Sequence, residues 1–311
     1  MKKFIKISSL ILALLLIFSL NNVVLTRIYN SKALYGSFEQ KYQRAKSIKT
    51  NKFIIIGGSS SNLGFDSKTF EELSGKPAVN LSVSGSVPLR IYMKAAENCA
   101  IPGDVIIIPL EFEFYNEDFN SINEAYVDMT ALDSDLRCEE NLLEKIEFYY
   151  TNFLRSFTRA NDCALFAFKE VMKTENTIYV ANSVDKNGDF CLHENKKPTY
   201  KRQVVDISFE YKIDTLNAIK DFILKMKEKD VMVYLTFPTV DRYCIKNSDE
   251  YFNSVQNVVK KYIPVEHVIG EPLDFAYDKD FFFDTAYHIK YENRKEYTTK
   301  LFSVYESAVK Q

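Results

Sequence analysis

The chain has 311 residues, of which 46% are hydrophobic and 26% are charged, a composition typical of an ordered globular protein. At about 100–200 residues per domain, this length allows one large domain or two small ones. Forty basic and forty-two acidic residues leave a net charge of −2, which argues against nucleic-acid binding. Five cysteines without a C-x-x-C pair and three widely separated histidines argue against a structural zinc site, and we expect no metal or cofactor.

The amino terminus has the pattern of a membrane segment. Three lysines precede an uncharged run, residues 7–26, that ends at Arg27. A helix of this length, rising about 1.5 Å per residue, spans roughly the 30 Å hydrocarbon core of a bilayer. Its purely apolar part, 7–20, also has the length of a signal-peptide core, and a buried core helix is a further alternative. We expect residues 1–30 to be a cytoplasmic tip and an uncleaved single-pass anchor in the cell membrane, with the remaining domain extracytoplasmic, or secreted if the segment is cleaved.

Beyond the anchor, strands and helices are predicted in alternation. Short apolar or β-branched runs predict strands, at 52–57, 78–81, 104–110, 231–237 and 265–269. Amphipathic runs between them predict helices, at 66–73, 88–99, 209–229, 249–262 and 291–309. This alternation is typical of a three-layer α/β domain, in which helices cover both faces of a mostly parallel sheet.

The centre of the chain is less regular than its two ends. We interpret 111–202, which is rich in Asp, Glu, Phe and Tyr, as an insertion into a domain that covers 31–311. Within the insertion, helices are predicted near 141–157 and 164–173. The cysteines expected outside the membrane are able to pair, although the sequence does not specify how; they are Cys138, Cys163, Cys191 and Cys244.

A glycine- and serine-rich segment, 57–64, directly follows the first predicted strand. In a parallel sheet, ligands bind beyond the carboxyl ends of the strands, so chemistry is expected here. The segment is not a P-loop, because Gly64 is followed by Phe65, and it lacks the dinucleotide motif as well. A serine at a strand tip before a helix suits a nucleophile, and a turn that merely caps the helix is the alternative. We take Ser59 as the candidate nucleophile, and the neighbouring Ser60 and Ser61 are the alternatives.

Two further segments supply the groups that such a serine requires. Asp284 and His288 precede the last helix, and a histidine oriented by a carboxylate is a general base near neutral pH. Gly85 follows the second strand, where a backbone N–H is able to approach a developing oxyanion. The alternatives are an ordinary loop histidine and a glycine required only by a tight turn.

Together these segments resemble the SGNH, or GDSL-type, hydrolase superfamily over most of residues 52–300. The resemblance implies a flavodoxin-like three-layer fold, a triad of Ser59, Asp284 and His288, and an oxyanion hole formed by the backbone N–H groups of Ser59 and Gly85. Two positions depart from the family pattern. Gly58 replaces the usual aspartate, and Glu111 lies where the Gly-x-Asn-Asp block is expected, so the third oxyanion donor is not assigned.

The basic amino-terminal segment is similar to that of the membrane-anchored branch of this superfamily, which includes D-alanyl transfer and alginate acetylation proteins. Residues 186–190, Lys-Asn-Gly-Asp-Phe, also resemble a stretch in such proteins. The resemblance implies an esterase or O-acetyltransferase that modifies a cell-surface polysaccharide or cell-wall polymer, beside a membrane-bound O-acyltransferase. The alternative is a non-catalytic scaffold of the same fold that binds the polymer or the acyltransferase.

Overall fold

The centre of the protein, in a computed structural model that describes residues 9, 24–138, 140–172 and 178–310, is a parallel sheet. Its four strands lie in the order β2-β1-β3-β4, and every neighbouring pair is parallel. In chain order they are β1 (Phe53–Ile55), β2 (Ala78–Asn80), β3 (Val105–Pro109) and β4 (Met232–Thr236). Each strand falls within a predicted strand, so the prediction of an α/β fold with a mostly parallel sheet is confirmed.

The helices account for most of the remaining regular structure. The first helical stretch of the described region is α1, 24–32. The others are α2 (Gly36–Ser47), α3 (Ser59–Gly64), α4 (Ser67–Ser74), α5 (Leu89–Cys99), α6 (Glu124–Leu132), α7 (Leu142–Met172), α8 (Ile213–Glu228), α9 (Ser248–Tyr262) and α10 (Arg294–Val309). Of these, α2, α3 and α6 were not predicted.

Both faces of the sheet are covered, which explains why its strands are continuous apolar runs. Phe53 of β1 packs against Phe70 of α4 and Tyr305 of α10. The next residue, Ile54, points to the opposite face and is also fully buried. Helices α2 and α5 pack against each other, and α2 also contacts β2.

The predicted strand at 265–269 is wrong. Residues Val265–His267 form a 3₁₀ helix that begins directly after Pro264, and the His267 N–H donates to the Pro264 carbonyl. Only Val268 makes a parallel bridge to the sheet, at Leu235 of β4. A separate two-stranded parallel pair, β5 (Val240–Asp241) with β6 (Ala276–Tyr277), was not predicted.

The two helices predicted near 141–157 and 164–173 are a single helix, α7, of 31 residues. No glycine or proline interrupts the sequence between them. Arg155 and Arg159, near its middle, both pair with the buried Asp128 of α6, at 2.9 and 2.8 Å. These ion pairs hold α7 against α6 at the point where the sequence suggested a break.

The predicted anchor lies almost entirely outside the described residues, apart from residue 9 and residues 24–30. Across the ranges that are described, no helix combines the length and the apolar character that a membrane span requires. The five cysteines are all free thiols, so the disulfide pairing that the sequence allows is not present.

Candidate active site

The strand order creates a crevice at the carboxyl ends of β1 and β3. The chain leaves β1 toward β2 on one side of the sheet and leaves β3 toward β4 on the other, so the two strand ends face a topological switch point. Ser59 follows β1, and Glu111 follows the neighbouring β3. The sheet therefore brings these two side chains to the same edge.

Ser59 is the first residue of α3, and Gly58 before it has an extended backbone. Among the three consecutive serines, Ser60 and Ser61 are 1% and 0% exposed, whereas Ser59 is partly exposed. Only Ser59 is therefore accessible to a substrate. Its hydroxyl donates to Glu111 Oε1 at 3.3 Å, which is long for an O–H···O bond, so the hydroxyl is only weakly held.

The loop before Gly85 is held in place by buried polar side chains. Asn80, the last residue of β2, accepts a hydrogen bond from the Ser82 N–H at 3.0 Å. Lys41 of α2 is fully buried and donates both to the Ser82 carbonyl and to Asn62 Oδ1, each at 2.6 Å. Since Asn62 lies on α3, Lys41 ties the helix that carries Ser59 to the loop that carries Gly85.

Two backbone N–H groups at this edge are unpaired. Within the described part of the chain, neither the Ser59 N–H nor the Gly85 N–H has a hydrogen-bond acceptor. These are the two groups that the sequence predicted as oxyanion donors. Both border the carboxyl group of Glu111: a Cβ atom built on Gly58 would lie 2.0 Å from Glu111 Oε2, and one built on Gly85 would lie 2.7 Å from it.

Glu111 is also part of the site. From the sequence it was noted only as a departure from the motif of the family that the chain resembles. Its side chain is buried, and Oε1 accepts the Ser60 N–H at 2.6 Å. Burial raises the pKa of Glu111, while the hydrogen bond from the Ser60 N–H and the electrostatic interaction with His288 act in the opposite direction. The signal in the sequence was an acidic residue placed directly after a buried apolar strand.

Asp284 and His288 form the pair that the sequence predicted. His288 Nδ1 lies 2.8 Å from Asp284 Oδ1, and the turn between them is closed by Thr285, whose hydroxyl accepts the His288 N–H. Burial alone would raise the pKa of Asp284, but hydrogen bonds from His288 and Tyr179 bring that pKa below its usual value. Asp284 is therefore a carboxylate at neutral pH.

Tyr179 is a second group that sequence reasoning missed. Its hydroxyl donates to Asp284 Oδ2 at 2.5 Å and lies 3.2 Å from His288 Nδ1. The Tyr179 ring stacks on Phe190, which belongs to the segment 186–190. An isolated tyrosine in an irregular stretch carries no pattern from which this contact could be predicted.

The same segment is tied to the core through Asp189. This carboxylate accepts both the backbone N–H and the hydroxyl of Ser67 at the start of α4. Arg294 of α10 donates to the Phe190 carbonyl at 3.0 Å and to the Phe65 carbonyl. These contacts hold the segment that orients Tyr179 against the helices that follow Ser59.

The structure thus gathers the predicted residues around one centre, with one difference from a formed triad. Ser59 and Gly85 border Glu111, and His288 interacts with Glu111 electrostatically. Among the described residues, the side-chain hydrogen bond of Ser59 goes to Glu111 and not to His288. A hydroxyl, a carboxylate-oriented imidazole and two unpaired N–H groups are the components of nucleophilic acyl chemistry.

A cavity of about 830 Å³ adjoins the site on the side of Asp284. Aromatic and acidic side chains are among the residues of its wall, including Phe112, Glu113, Tyr251 and Tyr287. Its volume is in the range of small-molecule binding sites. The aromatic residues of 275–283 do not line this cavity, and Phe275 and Phe282 are buried in the core.

In the part of the chain that the structure describes, no group of three or more His, Cys, Asp or Glu side chains is arranged to hold a metal ion. Comparisons of the chain with protein-family models, with curated proteins and with solved structures found no match. Function is therefore inferred from the site itself.

Proposed function

We propose that this chain is a serine-dependent acyl-transfer enzyme of the SGNH type. The observation that carries the proposal is a partly exposed Ser59 whose N–H, like that of Gly85, has no acceptor among the described residues. Both border Glu111, which also interacts electrostatically with His288 of the Asp284–His288 pair. The strand order β2-β1-β3-β4 is compatible with a flavodoxin-like domain. The reaction is ester hydrolysis or acyl transfer to a carbohydrate hydroxyl.

In the first step, His288 Nε2 accepts the proton of Ser59 as Oγ attacks the carbonyl carbon of an ester or thioester. Asp284 holds Nδ1 and stabilises the imidazolium, and the N–H groups of Ser59 and Gly85 stabilise the oxyanion. The bond to the leaving group then breaks, and that group takes the proton from His288. In the second step, water or a sugar hydroxyl attacks the acyl-serine, its proton passes to His288, and Ser59 is regenerated.

The proposed acceptor is a cell-surface polysaccharide or cell-wall polymer. Its support is the membrane-segment pattern of residues 7–26, which would keep an extracytoplasmic domain close to such polymers. A membrane-bound O-acyltransferase is the proposed partner that would supply or receive the acyl group. This part of the proposal is tested by assaying transfer of a labelled acetyl group to isolated cell-wall polymer, with hydrolysis to free acetate as the competing result.

A non-catalytic scaffold is the second candidate function. One observation favours it: the Ser59 hydroxyl donates to Glu111, so the hydrogen bond that would activate it toward His288 is not formed. In the catalytic proposal, the hydroxyl turns from Glu111 to His288 when substrate binds. The 3.3 Å length of the Ser59–Glu111 contact makes this turn inexpensive.

Fluorophosphonate labelling of the full chain distinguishes the two candidates, since the reagent reacts with activated serines. We expect the wild type to label, and Ser59→Ala and His288→Ala not to label. Ser254→Ala, which removes an exposed serine on α9, is the matched control and should label like the wild type. Labelling of Ser59→Ala would place the nucleophile elsewhere. A folded wild type that does not label would overturn catalysis and support the scaffold.

A further inference from the structure

The two carboxyl oxygens of Glu111 have different surroundings. Oε1 accepts the Ser60 N–H at 2.6 Å and the Ser59 hydroxyl at 3.3 Å. Oε2 has no hydrogen-bond partner among the described residues, and it lies beside Gly58 and Gly85. Oε1 is therefore used within the protein, and Oε2 lies beside Gly58 and Gly85, close to the two unpaired N–H groups.

The groups around Glu111 are mostly acidic. The pKa of Glu113 is raised by burial and by the charge of Glu111, and the pKa of Glu117 is raised to about 7 by burial and by both of these carboxylates. Glu111 also acts electrostatically on three tyrosines that face it from other elements, which are Tyr92, Tyr287 and Tyr297. His288 is a basic group whose electrostatic interaction with Glu111 acts in the opposite direction and lowers the pKa of Glu111. This neighbourhood and burial both favour the neutral form of the Glu111 carboxyl.

We propose, on the basis of the acyl transfer described above, that Glu111 is a catalytic residue in its protonated form, whose Oε2–H donates a hydrogen bond to the oxyanion. In this arrangement Oε1 is the carbonyl oxygen that accepts from Ser59 and Ser60, and Oε2 is the hydroxyl. The proton stays on Glu111 throughout, and the serine proton still passes to His288. A protonated carboxyl is a strong donor in a buried site, whereas a carboxylate there would repel the oxyanion.

Substitution of Glu111 by glutamine and by leucine separates this role from that of a base. In Glu111→Gln the amide keeps an acceptor and a donor, but it is a weaker donor than a carboxylic acid. We expect fluorophosphonate labelling to slow less than tenfold in Glu111→Gln and by about 10²–10³-fold in Glu111→Leu, the usual cost of one oxyanion donor. The wild-type rate should fall at alkaline pH as Glu111 loses its proton, and this fall should be missing in Glu111→Gln.

The role would be overturned if Glu111→Gln labelled as slowly as Glu111→Leu. It would also be overturned if the labelling rate of Glu111→Gln fell at alkaline pH as the wild-type rate does. Infrared difference spectra between wild type and Glu111→Gln give a readout that does not need activity, since a protonated carboxyl has its own C=O band. Absence of that band at neutral pH overturns the protonated state. A wild type that shows the band but does not label overturns the proposed function, and the catalytic role of Glu111 with it, while the protonated carboxyl itself stands.

A second inference concerns one face of α7 and is independent of Ser59. Large apolar side chains three or four positions apart on this helix are exposed, among them Leu143, Ile146, Tyr150 and Leu154, at 44–76%. The opposite side carries the arginines that pair with Asp128. A helix on a water-facing surface normally has its polar residues outward, so this face is expected to have a partner.

The apolar face continues onto α1. Val24 and Ile28 of α1 are 53% and 43% exposed. The two helices are in contact, because the Tyr29 ring packs against Phe166 of α7. Going towards the amino terminus, α1 leads directly into the uncharged sequence run 7–26. The exposed face of α7 therefore lies beside the point where the most apolar part of the chain enters the described structure.

We infer that the exposed face of α7 lies in the interfacial layer of a lipid bilayer, together with the neighbouring α1. The mixture of Leu and Ile with tyrosine is typical of a helix that lies at the level of the headgroups. Such a contact would orient the domain relative to the membrane and would satisfy the apolar surface without a second protein.

The absence of tryptophan from the chain allows a direct test in the full-length protein. Tyr150→Trp places a single tryptophan on the α7 face, at a position that is 63% exposed, and Tyr243→Trp, at a position that is 48% exposed, is the matched control. In phosphatidylcholine vesicles with brominated acyl chains, the emission of Tyr150→Trp should fall by about half, since an interfacial helix is immersed by about 5–10 Å. The emission of Tyr243→Trp should not change.

Equal quenching of the two variants, or quenching of neither, would overturn the inference. Emission from Tyr150→Trp that is blue-shifted but not quenched would also overturn it, because the face would then be covered by protein. The covering surface would be a second copy of the chain, another protein or the segment 7–26 itself.

Discussion

The two carboxyl groups of the candidate site have opposite electrostatic surroundings. Asp284 receives hydrogen bonds from His288 and Tyr179, and these lower its pKa although burial alone would raise it. Glu111 receives one short hydrogen bond from the described residues, from the Ser60 N–H, and burial raises its pKa. Burial is common to both groups, so the donors aimed at each carboxyl decide which one keeps its charge.

This difference assigns separate tasks to the two sides of the site. A charged Asp284 suits the support of an imidazolium at His288. A neutral carboxyl at Glu111 suits the place where negative charge develops on a substrate. Environments that push the pKa values of two titratable groups apart are a feature of acid–base sites. Each of the two carboxyl groups can be changed separately by substitution.

The largest effect is expected from Asp284→Asn, which removes the charge but keeps the size of the side chain. His288 would lose both its orientation and its electrostatic support, and we expect the rate of acyl transfer to fall by about 10⁴-fold. The measurement is the turnover of a chromogenic ester. Asp280→Asn, an exposed substitution in the same segment, is the control and should leave the rate unchanged. A loss of less than tenfold in Asp284→Asn would show that Asp284 does not support the base.

A smaller effect is expected from Gly58→Ala, which perturbs the other carboxyl. The new Cβ would lie 2.0 Å from Glu111 Oε2, so the carboxyl must move away from Gly85 and Ser59. Displacement of a catalytic group by about 1 Å costs about 10²-fold in rate. The backbone of Gly58 has a φ of −85°, so the effect would come from the contact with Glu111 and not from strain.

The control for this substitution is Lys76→Ala, an exposed change after α4 that touches nothing in the site. Both variants are compared by ester turnover and by thermal unfolding. Normal turnover in Gly58→Ala would mean that the position of the Glu111 carboxyl does not matter for the reaction.

The sheet was predictable from the sequence because its strands are buried on both sides. Residues of β1 and β3 form continuous apolar runs that end near glycine or proline, a pattern typical of buried parallel strands. The short segment 265–269 also contains three β-branched residues, yet Pro264 and a local turn make most of it 3₁₀. Apolar composition alone does not separate a strand from a turn of this length.

Within the site, residues set by strand ends were predictable and residues set by tertiary packing were not. Ser59 and Gly85 follow strands, and Asp284 and His288 are four residues apart, so pattern and chemistry were enough to propose them. Tyr179 reaches Asp284 only because Phe190 and the segment around it pack against the core. No local pattern encodes such a contact.

The two departures from the family pattern have one physical explanation. In the superfamily that the sequence resembles, an aspartate is usual at the position of Gly58, and an asparagine-containing block is usual after the third strand, where this chain has Glu111. The Glu111 carboxyl occupies the space that any side chain at position 58 would need. The sequence shows two separate anomalies, whereas the structure shows that the first is required by the second.

A tenfold effect is expected from Tyr179→Phe, which removes one of the two donors to Asp284. The loss of one hydrogen bond to a charged group weakens the support of the His288 imidazolium by roughly 1.4 kcal/mol, or about tenfold in rate. The pKa of Asp284 would rise, so the acid limb of the pH–rate profile should move to higher pH. Tyr243→Phe is the control, and an unshifted acid limb in Tyr179→Phe would separate Tyr179 from the function of Asp284.

The smallest effect is expected in the pH dependence of stability, and its sign should differ between the two carboxyls. Asp284 has a lowered folded-state pKa, so its stabilising contribution is present above about pH 3.9 and is lost as the pH falls through that lowered value. Glu111 has a raised folded-state pKa, so its contribution is present below about pH 4.3 and is lost as the pH rises through the raised value.

Urea unfolding of wild type, Asp284→Asn and Glu111→Gln across the pH range measures both contributions. The stability advantage of the wild type over Asp284→Asn should shrink toward acid pH, because protonation removes the charge that His288 and Tyr179 stabilise. Its advantage over Glu111→Gln should shrink toward neutral and alkaline pH, because ionisation leaves a charge in a buried acidic site. Differences that change with pH in the same direction would mean that the two carboxyls are electrostatically alike and that Glu111 is ionised in the folded protein.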